Sequence, residues 1–382
     1  MGSGASVRPS VAAARALATL GVAGCGSLWS ETTLQGARLL QTSVNLGSDG
    51  SVSLPFVVAP SEARMQLSAW RADEGLLWTS GLVAPTGQAA LVATDRWTMD
   101  ENLTNAVYAT PLTTLQWPIG DLTPPLDPGR WTARLAVATV DVDVDVALWL
   151  GPSPSGGVVS LDVVVLGALA TEPALRSAMD AAIAHAAALW DAAGLTLQPT
   201  VREEAATVGA LGVPGDPADA DRYVAWSSAR DERAITVVLA EGLDAGLPIL
   251  GISGGIPGPL AASSRSAVAV AGLAVAGRDR VFDAEETRLL GETIAHELGH
   301  YMGLYHPFEL PSGSDVTAWD AVDDTERCET SRACEAALGD HLMYPTPVCD
   351  VGLSSACVAW VPQSVVTEGQ AAVARGTMAA KP

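Results

Sequence analysis

From about Ser27 to Gly151, apolar and polar residues alternate with a period of two in short runs. Ser51–Val58, Met65–Trp70, Gln88–Ala93 and Trp131–Thr139 are such runs, separated by Gly, Pro and Asp. A period of two sends successive side chains to opposite faces of a strand, so this stretch predicts an all-β, sandwich-like domain over residues 27–150. Val140–Val146 alternates Val and Asp without a break, and as a strand it lines Asp141, Asp143 and Asp145 along one face. That row reads as a solvated strand face, with a calcium role as the alternative.

Beyond the Pro/Gly/Ser run Gly151–Gly157 the period changes, which places a domain boundary there. Val158–Gly167 is continuous enough for a buried strand. Glu172–Ala193 carries an apolar stripe of Leu175, Met179, Ile183, Ala186 and Trp190, the spacing of a helix face, and Gly194 ends it. His185 falls off that stripe and reads as a surface residue. Further strands are predicted at Leu195–Val201, Ile235–Ala240 and Ala267–Leu273. The Gly/Pro-rich stretch Gly251–Pro259 lacks a phosphate-loop pattern and reads as a loop over the sheet. Asp283 and Glu286 have capping-box spacing and start a helix at Ala284 that runs to about His300. By the order β–α–β–β–β–α, residues 158–382 read as an α+β domain.

That last helix carries the chemistry. Gly291–Pro307 reads GETIAHELGHYMGLYHP and contains His296, Glu297, His300, Gly303 and His306, the pattern H-E-x-x-H-x-x-G-x-x-H. His296 and His300 are four residues apart, so on a helix they stack on one face. Gly303 lets the chain turn back and bring His306 round as a third ligand. Three imidazoles with one open position are the donor set of a catalytic Zn2+ rather than of a closed structural site. Glu297, between two ligands, is placed to act as general base on a water held by the zinc.

Composition narrows the partners. Net charge is −22 with 17% charged residues, and Lys381 is the only lysine, so nothing basic invites nucleic acid or an anionic membrane surface. Four of the five cysteines, Cys328, Cys334, Cys349 and Cys357, crowd downstream of the histidines. They read as two disulfides, hence an oxidising compartment, with three pairings open; a four-thiolate zinc site would need a C-x-x-C pair that is not there. Residues 1–25 read as a signal peptide: Arg8 and Arg15 precede the short apolar run Ala16–Gly24. A membrane contact is expected only through an N-terminal lipid anchor, because later apolar runs are broken by Asp, Gly or Pro.

The motif resembles the signature of the metzincin zinc endopeptidases, which also carry a methionine in a tight turn beneath the metal. His341-Leu342-Met343-Tyr344-Pro345 supplies one, with Met343 as its floor. Asp323-Asp324-Thr325, Cys328, the cysteines around the turn and Thr367–Gln370 are most similar to the pappalysin/cytophagalysin group. Val22-Ala23-Gly24-Cys25 looks like a bacterial lipobox, which implies lipidation at Cys25 and a cell-envelope or secreted location. The match covers about 80 residues from Gly291 onward, and the order of elements extends it loosely back to Val158. The resemblance implies a mixed, twisted sheet for residues 158–382. Two departures stand out. A short Phe308–Ser314 replaces a longer insertion, and position 345 is proline, so no metal-approaching tyrosine is implied. Calcium sites of the group carry over only as the candidates Asp315, Asp320, Asp323 and Asp324, against the reading of an acidic, solvated loop.

The expectation is an exported zinc-dependent endopeptidase that hydrolyses peptide bonds in proteins or peptides. The alternative is a surface-anchored binding lipoprotein with a catalytically silent metzincin domain. Residues 27–150 are read as an accessory domain, with a propeptide as the alternative.

Overall fold

The structure is a computed structural model and describes residues 28–71, 75–92, 111–152, 157–205, 210–231, 233–246, 248–276, 279–309, 316, 318–351 and 357–381. The signal segment and Cys25 lie outside the described residues, as does Asp315. The architecture is mixed α+β. No helix among the described residues is long and apolar enough to cross a membrane.

Among the described residues the first part contains nine strands: β1 (Ser30–Leu34), β2 (Ala37–Leu46), β3 (Ser51–Val58), β4 (Arg64–Trp70), β5 (Leu77–Val83), β6 (Ala89–Val92), β7 (Leu112–Trp117), β8 (Gly129–Val137) and β9 (Val142–Gly151). They form two antiparallel sheets, ordered β1-β2-β9-β4-β7 and β3-β8-β5-β6. Between them lies a core that includes Leu54, Phe56, Met65, Leu67, Trp117, Trp131 and Leu148.

β9 shows how its sequence sets its surroundings. Val144, Val146, Leu148 and Leu150 face the sandwich core, while Asp143 and Asp145 stay exposed. Asp143 accepts from Asn45 Nδ2 at 2.9 Å and Asp145 accepts from the Ser43 hydroxyl, so both carboxylates serve strand pairing with β2. Asp141 does not join that row: it precedes β9 with φ of 57°, in the turn from which the strand starts. After Val146 the alternation stops, because Ala147 and Trp149 are buried against the second part of the chain. A strand covered on both faces has no polar set.

The second part runs β10 (Gly157–Leu166), α1 (Ala168–Thr171), α2 (Pro173–Ala192), β11 (Leu195–Glu204), β12 (Ala210–Gly212), α3 (Ala220–Ala229), β13 (Ile235–Ala240), β14 (Gly242–Asp244), β15 (Gly251–Ser253), β16 (Val268–Ala271) and α4 (Ala284–Tyr301). Then come β17 (Phe308–Glu309), β18 (Ala318–Trp319), α5 (Ser331–Leu338), β19 (Cys349–Val351), β20 (Cys357–Trp360) and α6 (Glu368–Arg375). The central sheet is ordered β11-β10-β13-β16-β15; its strands are parallel except β15, which runs antiparallel along β16 at the edge. The Gly251–Pro259 stretch is therefore not wholly a loop. Its first three residues are an edge strand too short and glycine-rich to show a period.

One face of this sheet, with Val159, Leu161, Val163 and Val165 of β10, packs under α2 and α4. Val164 and Leu166 pack on the other side with Tyr223 and Trp226 of α3. The predicted stripe of α2 is buried as a unit, and Trp190 Nε1 donates to the Ala295 carbonyl of α4 at 3.1 Å. α4 and α2 come close because Gly291 has no side chain: a Cβ there would lie 2.8 Å from Ala182 O.

The two parts are joined through buried polar groups. Arg64 of β4 donates to the carbonyls of Arg375 and Thr377 at 3.0 and 2.6 Å, Gln66 donates to Gly258 O at 2.7 Å, and Gln116 of β7 donates to Val373 O at 3.0 Å. Cutting such a seam exposes donors and acceptors that water would then have to satisfy.

Candidate metal centre

α4 begins as its capping box predicts. The Asp283 side chain accepts from the Glu286 backbone N–H at 2.8 Å, and Glu286 Oε2 accepts from the Asp283 N–H at 3.0 Å. Its last turns carry His296, Glu297 and His300. Gly303 then takes φ of 103°, a region that disfavours any Cβ, and the chain reverses. The virtual Cβ at this glycine would also lie 2.8 Å from Gln116 Oε1, so the sandwich packs directly behind the reversal.

This brings His306 beside the other two histidines. One ligand atom from each of His296, His300 and His306 lies within 4.8 Å of the others, and among the described residues this is the group of such donors that could hold a metal. His300 Nε2 and His306 Nε2 are 3.1 Å apart.

The rear nitrogen of each ring identifies the tautomer. His296 Nδ1 lies 2.7 Å from Leu342 O and His300 Nδ1 lies 2.7 Å from Leu304 O. A carbonyl oxygen can only accept, so both Nδ1 atoms carry the proton and both Nε2 atoms present lone pairs. His306 Nδ1 lies 2.7 Å from Glu309 Oε1, an acceptor for the Nδ1 proton that leaves Nε2 as the nitrogen turned to the other two rings. Two imidazole nitrogens at 3.1 Å share either a proton or a cation between them. The donor set fits a metal ion, and His296, His300 and His306 would hold it.

Burial keeps the two helix-borne ligands, His296 and His300, neutral. Burial pushes His296 down to about 3; a proton on the neighbouring His306 would act in the same direction, and the bond to Leu342 O opposes it. Burial likewise holds His300 well below the usual imidazole range, with the neighbouring histidines adding to it. Neutral imidazoles are the form a metal needs. Burial raises the Glu297 carboxyl to about 8, opposed by the Ser253 backbone N–H. A dication beside it would act in the opposite direction.

Two elements close over and under this group. β15 crosses Glu297 so tightly that a Cβ at Gly251 would lie 2.6 Å from Glu297 Cγ. Beneath α4, Met343 is fully buried, and a Cβ at Gly299 would overlap its Sδ. A cleft of about 230 Å3 opens at His296 and Glu297, with Leu250, Leu289, Tyr344 and Pro345 on its walls. All its described lining residues come from position 248 onward; none belongs to the sandwich. Tyr344 is buried against Phe308, ring centres 5.6 Å apart.

The remaining candidates separate. His185 is half-buried on α2, with Nε2 4.0 Å from Glu292 Oε1, and is not among the grouped histidines. Asp320 departs from the solvated-loop reading. It is 5% exposed and its Oδ2 accepts from Thr325 Oγ1 and Gln370 Nε2, each at 3.1 Å, because Thr325 and α6 fold over it. Asp323 and Asp324 are exposed. Asp324 accepts from Thr367 Oγ1 and from the Gly369 N–H, both at 2.8 Å, at the start of α6. Cys328 and Cys334 form a disulfide across the start of α5, and Cys349 is also disulfide-bonded; the side chain of Cys357 lies outside the described residues.

Two site residues escaped the sequence reading. Glu309 lies three residues past His306 outside any helix, where that spacing carries no face rule. Glu292 stands one turn before His296 on α4, 2% exposed on the cleft, with Arg288 Nη1 on its Oε1 at 2.6 Å. The i, i+4 spacing of Arg288 and Glu292 was the available signal.

No family model matches the chain, and no curated protein matches it. Among solved structures, metalloproteinase-II from Bacteroides fragilis overlaps 46% of this chain and 57% of its own at 13% identity, with a TM-score of 0.27. A GH26-CBM35 β-(1,4)-mannanase from Podospora anserina overlaps 61% of this chain and 47% of its own at 12% identity, with a TM-score of 0.13. The chain thus spans about half the length of each. Neither overlap is close enough to carry a role for this chain.

Proposed function

We propose that this chain is a zinc-dependent endopeptidase of the metzincin type. The observation that carries the reading is the convergence of one ligand nitrogen from each of three histidines beside the buried carboxyl of Glu297, at the mouth of a cleft. Zinc, when bound, supplies a Lewis acid that polarises a carbonyl and lowers the pKa of water.

The chain's own residues do the rest. Glu297 takes a proton on its carboxylate from the attacking water and returns it to the leaving amine. β15 pairs with β16 on one side only, and its other edge suits an extended peptide laid across the site by main-chain hydrogen bonds. Met343 and Gly299 set the floor that keeps His296 and His300 in register. Residues 27–150 act as an accessory part that buttresses the back of the site, since none of the described ones lines the cleft. The Cys328–Cys334 disulfide supports export to an oxidising compartment, and lipidation at Cys25 belongs to the same proposal.

The test is Glu297→Ala in purified, zinc-loaded protein. Cleavage of an unfolded protein substrate is expected to fall by ~10²–10⁴-fold, with zinc still bound. Equal turnover in the variant refutes the assignment. A parent that binds zinc and cleaves nothing in a broad peptide library is instead a silent binding domain.

A further inference from the structure

His306 is braced differently from its two partners. His296 and His300 ride on α4, so their backbones are fixed by the helix, and their Nδ1 atoms rest on neutral backbone carbonyls of Leu342 and Leu304. His306 comes after the reversal at Gly303, where no helix holds it. Its Nδ1–H donates to a charged group, Glu309 Oε1, at 2.7 Å. Glu309 sits on the short β17, and pairing of Phe308 with Trp319 and of Glu309 with Ala318 in β18 fixes its backbone. The histidine and glutamate side chains are 21% and 25% exposed, so the pair sits at the rim, partly shielded from water.

We propose that Glu309 is the positioning residue for the third ligand, an assignment that rests on the metal-site reading above. Its carboxylate holds the Nδ1–H tautomer and the ring plane of His306, so that Nε2 points its lone pair at the ion. Its charge does what a carbonyl cannot: it draws on the Nδ1 proton and makes Nε2 a stronger donor. The charge also balances the site. Three neutral imidazoles leave the two positive charges of zinc uncompensated; among the described residues Glu297 and Glu309 adjoin the ligand set, while the nearby Glu292 is paired with Arg288. The ligand lacking a helix is thus the one given the stronger brace.

The experiment measures the zinc dissociation constant, by competition with a chromophoric chelator at fixed pH, for the parent, Glu309→Gln and Glu309→Ala. Thermal melts of the three metal-free proteins and visible spectra of their cobalt-substituted forms accompany it. Glu309→Ala is expected to weaken zinc ~10–100-fold and to alter the cobalt spectrum, while the metal-free melt stays with the parent. Glu309→Gln keeps an acceptor for Nδ1–H but loses the charge, and falls between the two. It also carries the test if the alanine variant does not fold. Zinc affinity in both variants within about twofold of the parent, with an unchanged cobalt spectrum, overturns the assignment and leaves the metal site standing. A parent that binds no zinc overturns the metal-site reading and this assignment with it.

Discussion

Two groups of side chains in the second half of the chain carry donors that suit metals, and they are used in opposite ways. The histidines 296, 300 and 306 each have the rear nitrogen tied to an acceptor, which leaves three front nitrogens free and within 4.8 Å. Of the aspartates 320, 323 and 324, Asp320 and Asp324 have carboxylate oxygens engaged by the protein itself, and Asp323 is held by its backbone. Asp320 takes up Thr325 and Gln370, Asp324 takes up Thr367 and Gly369, and the Asp323 N–H donates to Asp121 of the sandwich at 3.3 Å. Residue type identifies candidates in both groups. What separates them is whether something else orients the side chains so that the donor atoms stay free and converge.

The strongest way to break this comparison is to remove one member of each group. His300→Ala should weaken zinc by more than ~100-fold and bring peptide cleavage to background, since a lost ligand costs more than a lost brace. Asp324→Asn should leave zinc affinity and cleavage unchanged and lower stability by ~1 kcal/mol, the scale of a weakened hydrogen bond at the α6 start. Zinc titration and a thermal melt on each variant decide it. A zinc defect in Asp324→Asn would mean that the two groups act as one site.

A smaller effect probes the floor of the histidine site. The motif glycine at 299 faces Met343 Sδ, with Trp190 Cζ2 3.3 Å from where a Cβ would be. Gly299→Ala forces that methionine to move inside a packed core, which should cost ~1–3 kcal/mol in a urea melt of the metal-free protein. Zinc affinity should fall with it, because the displaced helix turn carries both His296 and His300. A variant as stable as the parent would show that Met343 has room to yield.

How much of this could be read beforehand depended on whether the signal was periodic. α4 begins at Ala284 as its capping pair implied, and β13 spans Ile235–Ala240, where the apolar run lay. α3 went unread because its ten residues, ADRYVAWSSA, bury only Tyr223, Trp226 and Ser227, too few to make a stripe. β15 went unread because three residues cannot show a period of two. The Val/Asp alternation overran at Asp141, where φ of 57° turns the chain even though the residue pattern continues. The histidine donors were legible because helix spacing converts sequence distance into position. Glu309 was not, because past Gly303 no such rule applies. The burial of Asp320 was not legible either, because it is made by α6, fifty residues away.

Asp320 supplies the mildest and most discriminating test. Burial raises its carboxyl to about 7, with the Asp324 charge adding to the shift and the bonds from Gln370 and Thr325 opposing it. The folded protein therefore binds this proton more tightly than the unfolded chain, whose carboxyl keeps an ordinary value near 3.8. Stability from this group must fall as pH rises from the ordinary carboxylate range through about 7. Asp320→Asn removes the titration while its amide oxygen can keep both bonds on one side, and its NH2 replaces Oδ1, which has no hydrogen-bond partner. The parent should lose melting temperature between pH 5 and pH 8, while the variant should change less and be the more stable of the two at pH 8. Calcium separates the alternatives. If these aspartates held that ion, added calcium would raise the parent's melting temperature at pH 8 and Asp320→Asn would abolish the rise, reversing the predicted order. If the carboxylates serve only the packing of α6, calcium changes neither curve, and the variant stays ahead at alkaline pH because it no longer buries a charge.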